Sequence, residues 1–113
     1  MSKRESDDIL QGTLDMLVLK ALQLGPMHGW GITDRLEHGS KHILQIGHGS
    51  LYPALYRLEK RGYITSAWAP SDNNRRARFY SLTSAGRARL TKERQAWSRM
   101  SHAVDLILAM EES

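Results

Sequence analysis

The chain has 113 residues, 16 Lys+Arg against 12 Asp+Glu, no cysteine and 41% hydrophobic residues. That length holds one small domain, or one domain with an extension, and not two full cores. The lack of cysteine excludes a disulfide framework, thiol catalysis and thiolate metal sites, and no apolar run approaches the ~20 residues of a membrane span. The mixed-charge segment from Met1 to Asp8 lacks the apolar core of a signal peptide, so a soluble cytoplasmic protein without a membrane partner is expected.

In chain order, the first periodic stretch is Ile9, Leu10, Leu14, Leu17, Val18, Ala21 and Leu22. Spacings of three and four predict an amphipathic helix over residues 8–24, stopped by Gly25-Pro26. A shorter helix is expected from His28 to His38, with Ile32 and Leu36 inward and Gly39 as its stop. Gly29 and Gly31 are poor helix formers and point to close packing against a neighbour. His28 reads as a capping or packing residue at the start of that helix. The run Ile43-Leu44-Gln45-Ile46 is too short for a helix and is assigned to a brief strand.

A third helix follows Gly47-His48-Gly49-Ser50, with Ser50 or Gly49 as its cap and Pro53 in its first turn, where a missing N–H costs nothing. Leu51, Leu55 and Leu58 share its inward face. Gly62 ends it. Two segments rich in aromatic and β-compatible residues, 63–68 and 76–82, flank a polar turn over 69–75 and predict a hairpin. A long helix starts after the N-cap Thr83 and runs to about Met110. Three helices, a hairpin and an added long helix make a mainly α (α+β) fold. It is a winged helix-turn-helix over residues 1–83, with a dimerisation helix over 84–113.

Charge is unevenly placed. Residues 1–56 balance at −1, residues 57–99 at +8 and residues 100–113 at −3. The basic block is what a polyanion-binding face needs, although a solvated helix face would look similar.

The blocks Gly12-Thr13-Leu14-Asp15, Gly25-Pro26-Met27-His28-Gly29-Trp30-Gly31-Ile32, Gly49-Ser50-Leu51-Tyr52-Pro53-Ala54-Leu55-Tyr56-Arg57-Leu58-Glu59 and residues 73–86 resemble the PadR family of bacterial transcriptional regulators. The Gly-Ser-Leu-Tyr-Pro-Ala-Leu block is the most specific of these. Trp30 stands where the family more often has Tyr. The resemblance implies a homodimeric DNA-binding regulator, usually a repressor. With one helix after the hairpin, the chain resembles the compact branch of the family.

The third helix is the candidate recognition helix. Major-groove reading needs an apolar back and a polar or aromatic front, which Ser50, Tyr52, Pro53, Tyr56, Arg57 and Lys60 supply. Arg75, Arg76 and Arg78 mark the hairpin as a wing suited to phosphates or a narrow minor groove. Arg76 and Arg78 point to one side of their strand. Five histidines invite a metal reading, but Gly39-Ser40 separates His38 from His42 and no carboxylate or thiolate completes a set, so neither metal nor cofactor is expected. No arrangement of residues supports catalysis.

On the last helix, Leu90, Trp97 and Val104 stand seven apart, with Met100, Ile107 and Leu108 beside them. That heptad-like stripe wants an apolar partner along roughly 40 Å of helix, more than one winged domain covers. Trp97 facing its symmetry mate, with Met100 adjoining, would make a slot for a flat aromatic effector. The chain therefore reads as a dimeric repressor binding double-stranded DNA at an inverted-repeat operator. A winged helix used for protein–protein contact, without DNA, is the alternative.

Overall fold

A computed structural model describes residues 2–112, with side chains from residue 13 onward. The elements run α1 (Ser2–Gln23), β1 (Met27–His28), α2 (Gly29–Gly39), α3 (His48–Lys60), β2 (Ile64–Pro70), β3 (Arg76–Leu82) and α4 (Ser84–Leu108). The three strands form an antiparallel sheet in the order β1-β3-β2. The result is a mainly α winged helix with a small sheet.

α1 is the centre of the core. Leu14, Met16, Val18, Leu19, Ala21 and Leu22 are all buried, because α2, α3, α4 and β3 pack around the helix. A single amphipathic stripe therefore understates its burial. Leu17 is only partly covered, and the side chains of Ile9 and Leu10 lie outside the described residues. Leu51, Ala54, Leu55 and Leu58 of α3 pack against this centre, together with Ile32, Ile46, Ile64, Tyr80 and Leu90. Arg35 fastens α2 to the end of α1: its Nη1 donates to the carbonyls of Ala21 at 2.9 Å and Gly25 at 2.7 Å.

Four local expectations are corrected. Residues 43–46 are not a strand; the short strand is Met27–His28, paired with Tyr80 and Phe79. The backbone of 43–46 is instead held by side chains, since Ser40 Oγ accepts from Leu44 N–H and Glu37 Oε2 from Ile46 N–H. Gly39 does not turn the chain after α2; Ser40 is the C-cap, and Lys41 and His42 take the left-handed conformation, with φ of 55° and 65°. Two backbone bonds hold that turn, Lys41 N–H to His38 O and His42 N–H to Glu37 O. α3 begins earlier than expected, with Gly47 as N-cap and no side-chain cap. Pro53 thus falls in its second turn and cannot donate the helical bond to the Gly49 carbonyl, at a residue exposed to water. α1 starts at Ser2 rather than near residue 8.

α4 begins as expected. Thr83 Oγ1 accepts from Gly86 N–H at 3.0 Å, and Thr83 also donates to Gly62 O at 2.7 Å. Gly86 touches the carbonyl of Tyr63, leaving no room for a side chain. Leu90 is 1% exposed. It fills the chain's own core and is not free for the intermolecular seam expected of it. The first turns of α4 thus pack on the core that the three helices and the hairpin share.

Gly86→Ala should destabilise the fold by about 1–3 kcal/mol, because a methyl group would meet backbone that cannot move aside. Thermal unfolding by circular dichroism should show a lower Tm, with α4's helical signal retained below the transition.

Candidate nucleic-acid interface

The hairpin carries the core outward into a cleft. Side chains alternate along a strand, and directly opposed residues share a face. The pairs Ile64↔Leu82, Ser66↔Tyr80, Trp68↔Arg78 and Pro70↔Arg76 therefore lie on one face. At its base this face is core: Ile64 and Tyr80 are buried. Burial pushes the Tyr80 phenol above its usual range, against a smaller opposing pull from Arg78, so it stays neutral at physiological pH. Toward the tip the same face becomes Trp68, Arg76 and Arg78, standing opposite the start of α2 and Tyr52 of α3 across a cleft of about 720 Å3.

The three wing arginines are not equivalent. Arg78 Nε donates to Ser66 Oγ at 2.8 Å, and Ser66 in turn donates to Glu59 Oε2 at 2.6 Å. Arg78 Nη2 also lies 3.5 Å from that carboxylate. Arg78 is thereby held against α3, whereas Arg75 and Arg76 make no ion pair among the described residues. The tip itself is closed by Ser71, whose Oγ donates toward Asn73 Oδ1 and the Arg75 carbonyl. Asn74 takes φ of 65°, as a turn former does.

The expected recognition helix divides in two. Tyr52, Pro53, Tyr56 and Lys60 are exposed, and Ser50 is half-buried at the first turn. Lys60 Nζ lies 5.8 Å from the centre of the Tyr56 ring. Tyr52 lies against Gly29: a Cβ there would stand 2.6 Å from the phenol oxygen. The close packing expected of the α2 glycines is therefore made at Gly29 by the third helix. Gly31 makes it with Met27. His28 caps α2, its Nδ1 accepting from Gly31 N–H at 2.9 Å.

Arg57 is drawn away from this front. One residue past Tyr56 is a turn of about 100° around the helix, and Arg57 Nη2 meets Asp15 Oδ1 of α1 at 2.8 Å. It lines a second crevice with Arg61, Tyr63, Arg89 and Glu93. There Arg89 pairs with Glu93 at 3.0 Å and lies over the Tyr63 ring. Arg57 thus ties α3 to α1 beside the root of α4. Sequence reasoning did not anticipate Asp15, Glu59, Trp30 or Trp68. The two carboxylates carry no local signal of their partners. The exposed indoles sit in sequence between small residues, Gly29 and Gly31 around Trp30 and Ala67 and Ala69 around Trp68, which do not mark them as surface groups.

Beyond Glu93, every α4 residue to Leu108 is exposed except the half-buried Ser101. The radius of gyration, 15.9 Å, exceeds the ~13 Å of a compact chain of this length, in keeping with a projecting helix. Its stripe of Trp97, Met100, Val104, Ile107 and Leu108 is uncovered; Trp97 is 50% exposed.

Among the described residues no group of three His, Asp or Glu side chains is placed to hold a metal. The His38 and His42 rings meet at 5.0 Å without a third donor, and His38 Nδ1 is engaged with the Asp34 carbonyl. No helix among the described residues is long and apolar enough to cross a membrane.

Three helices closed by a β-wing, with a polar-aromatic front on the third helix, define a winged helix-turn-helix protein. Residues 18–92 match the family model of the transcriptional regulator PadR-like family. The chain belongs to that family and is a transcriptional regulator rather than an enzyme. It is 38% identical over 78 residues to transcriptional regulator Rv3488 of Mycobacterium tuberculosis, covering 69% of each chain. A transcriptional regulator from Clostridium thermocellum superposes with a TM-score of 0.80 at 26% identity, over 87% of this chain and 95% of that one. A PadR family transcriptional regulator from Eggerthella lenta gives 0.78 at 28% identity, over 92% and 88%.

Gly29→Ala should displace the Tyr52 ring while costing little stability, since the obstructed atoms are the far end of a side chain. The Tyr52 ring-proton shifts in NMR should change, with Tm within a few degrees of the parent.

Proposed function

We propose that the chain is a dimeric repressor that binds double-stranded DNA at an inverted-repeat operator. The front of α3, with Ser50, Tyr52, Pro53, Tyr56 and Lys60, enters the major groove, and the wing follows the backbone. The observation that carries this reading is that Arg75 and Arg76, without ion-pair partners among the described residues, stand on the same cleft as exposed Tyr52. A cationic wing beside an aromatic helix front fits the phosphate-positioning and base-reading halves of a DNA interface. Arg57 and Arg78 act by holding α3 against α1 and the wing against α3. Their contribution to DNA contact is therefore indirect.

The distal half of α4 supplies dimerisation. Each apolar side chain of the stripe gains about 1.5–3 kcal/mol on full burial, and a second copy of the same stripe is the self-complementary partner of a two-fold dimer. Leu90 takes no part. Two Trp97 indoles across the axis, with Met100 adjoining, form the slot for a flat aromatic effector that relieves repression. The effector does so by favouring an α4 crossing that misplaces the reading heads. Soluble, cytoplasmic residence follows from this role.

Arg75→Ala with Arg76→Ala should weaken binding to all duplexes and reduce the salt slope by about two phosphate contacts. Fluorescence anisotropy across a salt series measures this. Tyr52→Ala should instead weaken the operator more than random DNA. No duplex binding at low salt would reduce the fold to a protein-contact module. Val104→Asp with Ile107→Asp should give monomers by light scattering, because the seam would bury charge; a dimer that persists moves the seam elsewhere.

A further inference from the structure

The cleft between the wing and α2 has the dimensions of a small-molecule site as well as a border of the DNA face. Its volume, about 720 Å3, lies within the ~300–1,000 Å3 usual for ligand pockets. Trp30 at the start of α2, Trp68 on β2 and Tyr52 on α3 line it. Trp30 is 66% and Trp68 59% exposed, so the fold leaves two flat π faces open to stacking.

The polar lining is selective. Arg75, Arg76 and Arg78 line the cleft together with Asp34 and Asp72. Three guanidinium groups against two carboxylates leave one net positive charge. Arg78 is already shared with Ser66 and Glu59, which leaves Arg75 in the turn and Arg76 on β3; Arg76 shares its strand face with Trp68 and Arg78 and is the planar fork set beside the indole. Such a fork matches a carboxylate or sulfonate lying in its plane. A polyphosphate would also meet Asp34 and Asp72, so a single negative charge is favoured.

We propose that this cleft binds a flat, fused-ring aromatic monoanion, stacked on Trp30 and Trp68 with its anionic group on Arg76, and that the bound molecule excludes DNA from the wing and the α3 front. The exclusion rests on the DNA reading above; the binding does not. The site lies within one chain and is separate from the Trp97 slot at the dimer axis.

The chain holds three tryptophans, so their indole N–H signals report the site directly once assigned with Trp30→Phe, Trp68→Phe and Trp97→Phe. Titration with 2-naphthalenesulfonate should shift the Trp30 and Trp68 signals and leave Trp97 in place. Methanesulfonate at equal concentration should shift none of them. Arg76→Gln should weaken the probe about tenfold, the loss of one charge-assisted hydrogen bond. In parallel, the probe should release a labelled duplex, read by anisotropy, well beyond methanesulfonate at the same ionic strength. Absent shifts at millimolar probe, shifts confined to Trp97, or unchanged affinity in Arg76→Gln overturn the site. A duplex that stays bound while the cleft is saturated overturns the exclusion. A chain that binds no duplex without probe overturns the DNA reading instead, and the indole signals still decide the ligand site.

Discussion

The burial of α1 on several sides at once is the constraint on which the rest of the molecule depends. Val18 and Leu19 are adjacent in sequence, about 100° apart on the helix, and both are sealed in the core. No single neighbour can do that, so α2, α3, α4 and β3 must all converge on one helix. The leucines of α3 are the inward half of this arrangement, and with them buried the helix must present Tyr52 and Tyr56 outward. Arg35, bonded to the carbonyls of Ala21 and Gly25, fixes where α2 leaves α1. It thereby fixes where the glycine that receives Tyr52 will stand.

The wing shows how one strand face serves two ends. Near its base the face is closed by Ile64 and Tyr80. A few residues further it is Trp68, Arg76 and Arg78, with no core left to cover it. The charge there is graded by its partners. Glu59 and Ser66 hold Arg78 in place at the cost of part of its availability, while Arg76 keeps its donors open. The proposed DNA contact and the proposed aromatic anion both draw on that difference. A guanidinium without a carboxylate partner is the stronger attraction for an incoming anion.

α4 links the two proposed activities physically. Its root is locked to the winged domain through Gly86 on Tyr63, Leu90 in the core and Arg89 over the Tyr63 ring. Its far half carries an apolar stripe that nothing among the described residues covers. The crevice at the root also holds Arg57 of α3, paired with Asp15 of α1. A partly exposed pair of this kind, still screened by solvent, is worth on the order of 1 kcal/mol or less. Its significance is geometric, because α3, the central helix and the projecting arm meet at one point.

Much of this was legible in the sequence, wherever local chemistry decides structure. The periodic leucines of α1 and α3, the hairpin segments with their polar turn, and Thr83 as the cap of α4 each announce an element through neighbours a few residues away. The projecting stripe of Trp97, Val104 and Ile107 is visible for the same reason, since its spacing is a property of one helix. Tertiary structure alone decided what depends on distant partners. The two-residue strand Met27–His28 exists because Tyr80 and Phe79 lie beside it; two residues carry no periodicity. Leu90 takes the same heptad position as Trp97, one repeat earlier, yet packing sends it into the chain's own core. Arg57 and Arg78 look like free cations in sequence, and each acquires a carboxylate from an element that folding brings alongside. The physical reason is range. Helix and turn preferences act over three or four residues, whereas the pairing of a charge or the covering of an apolar face is settled by groups tens of residues away, which become neighbours once α1 has gathered the other elements around it.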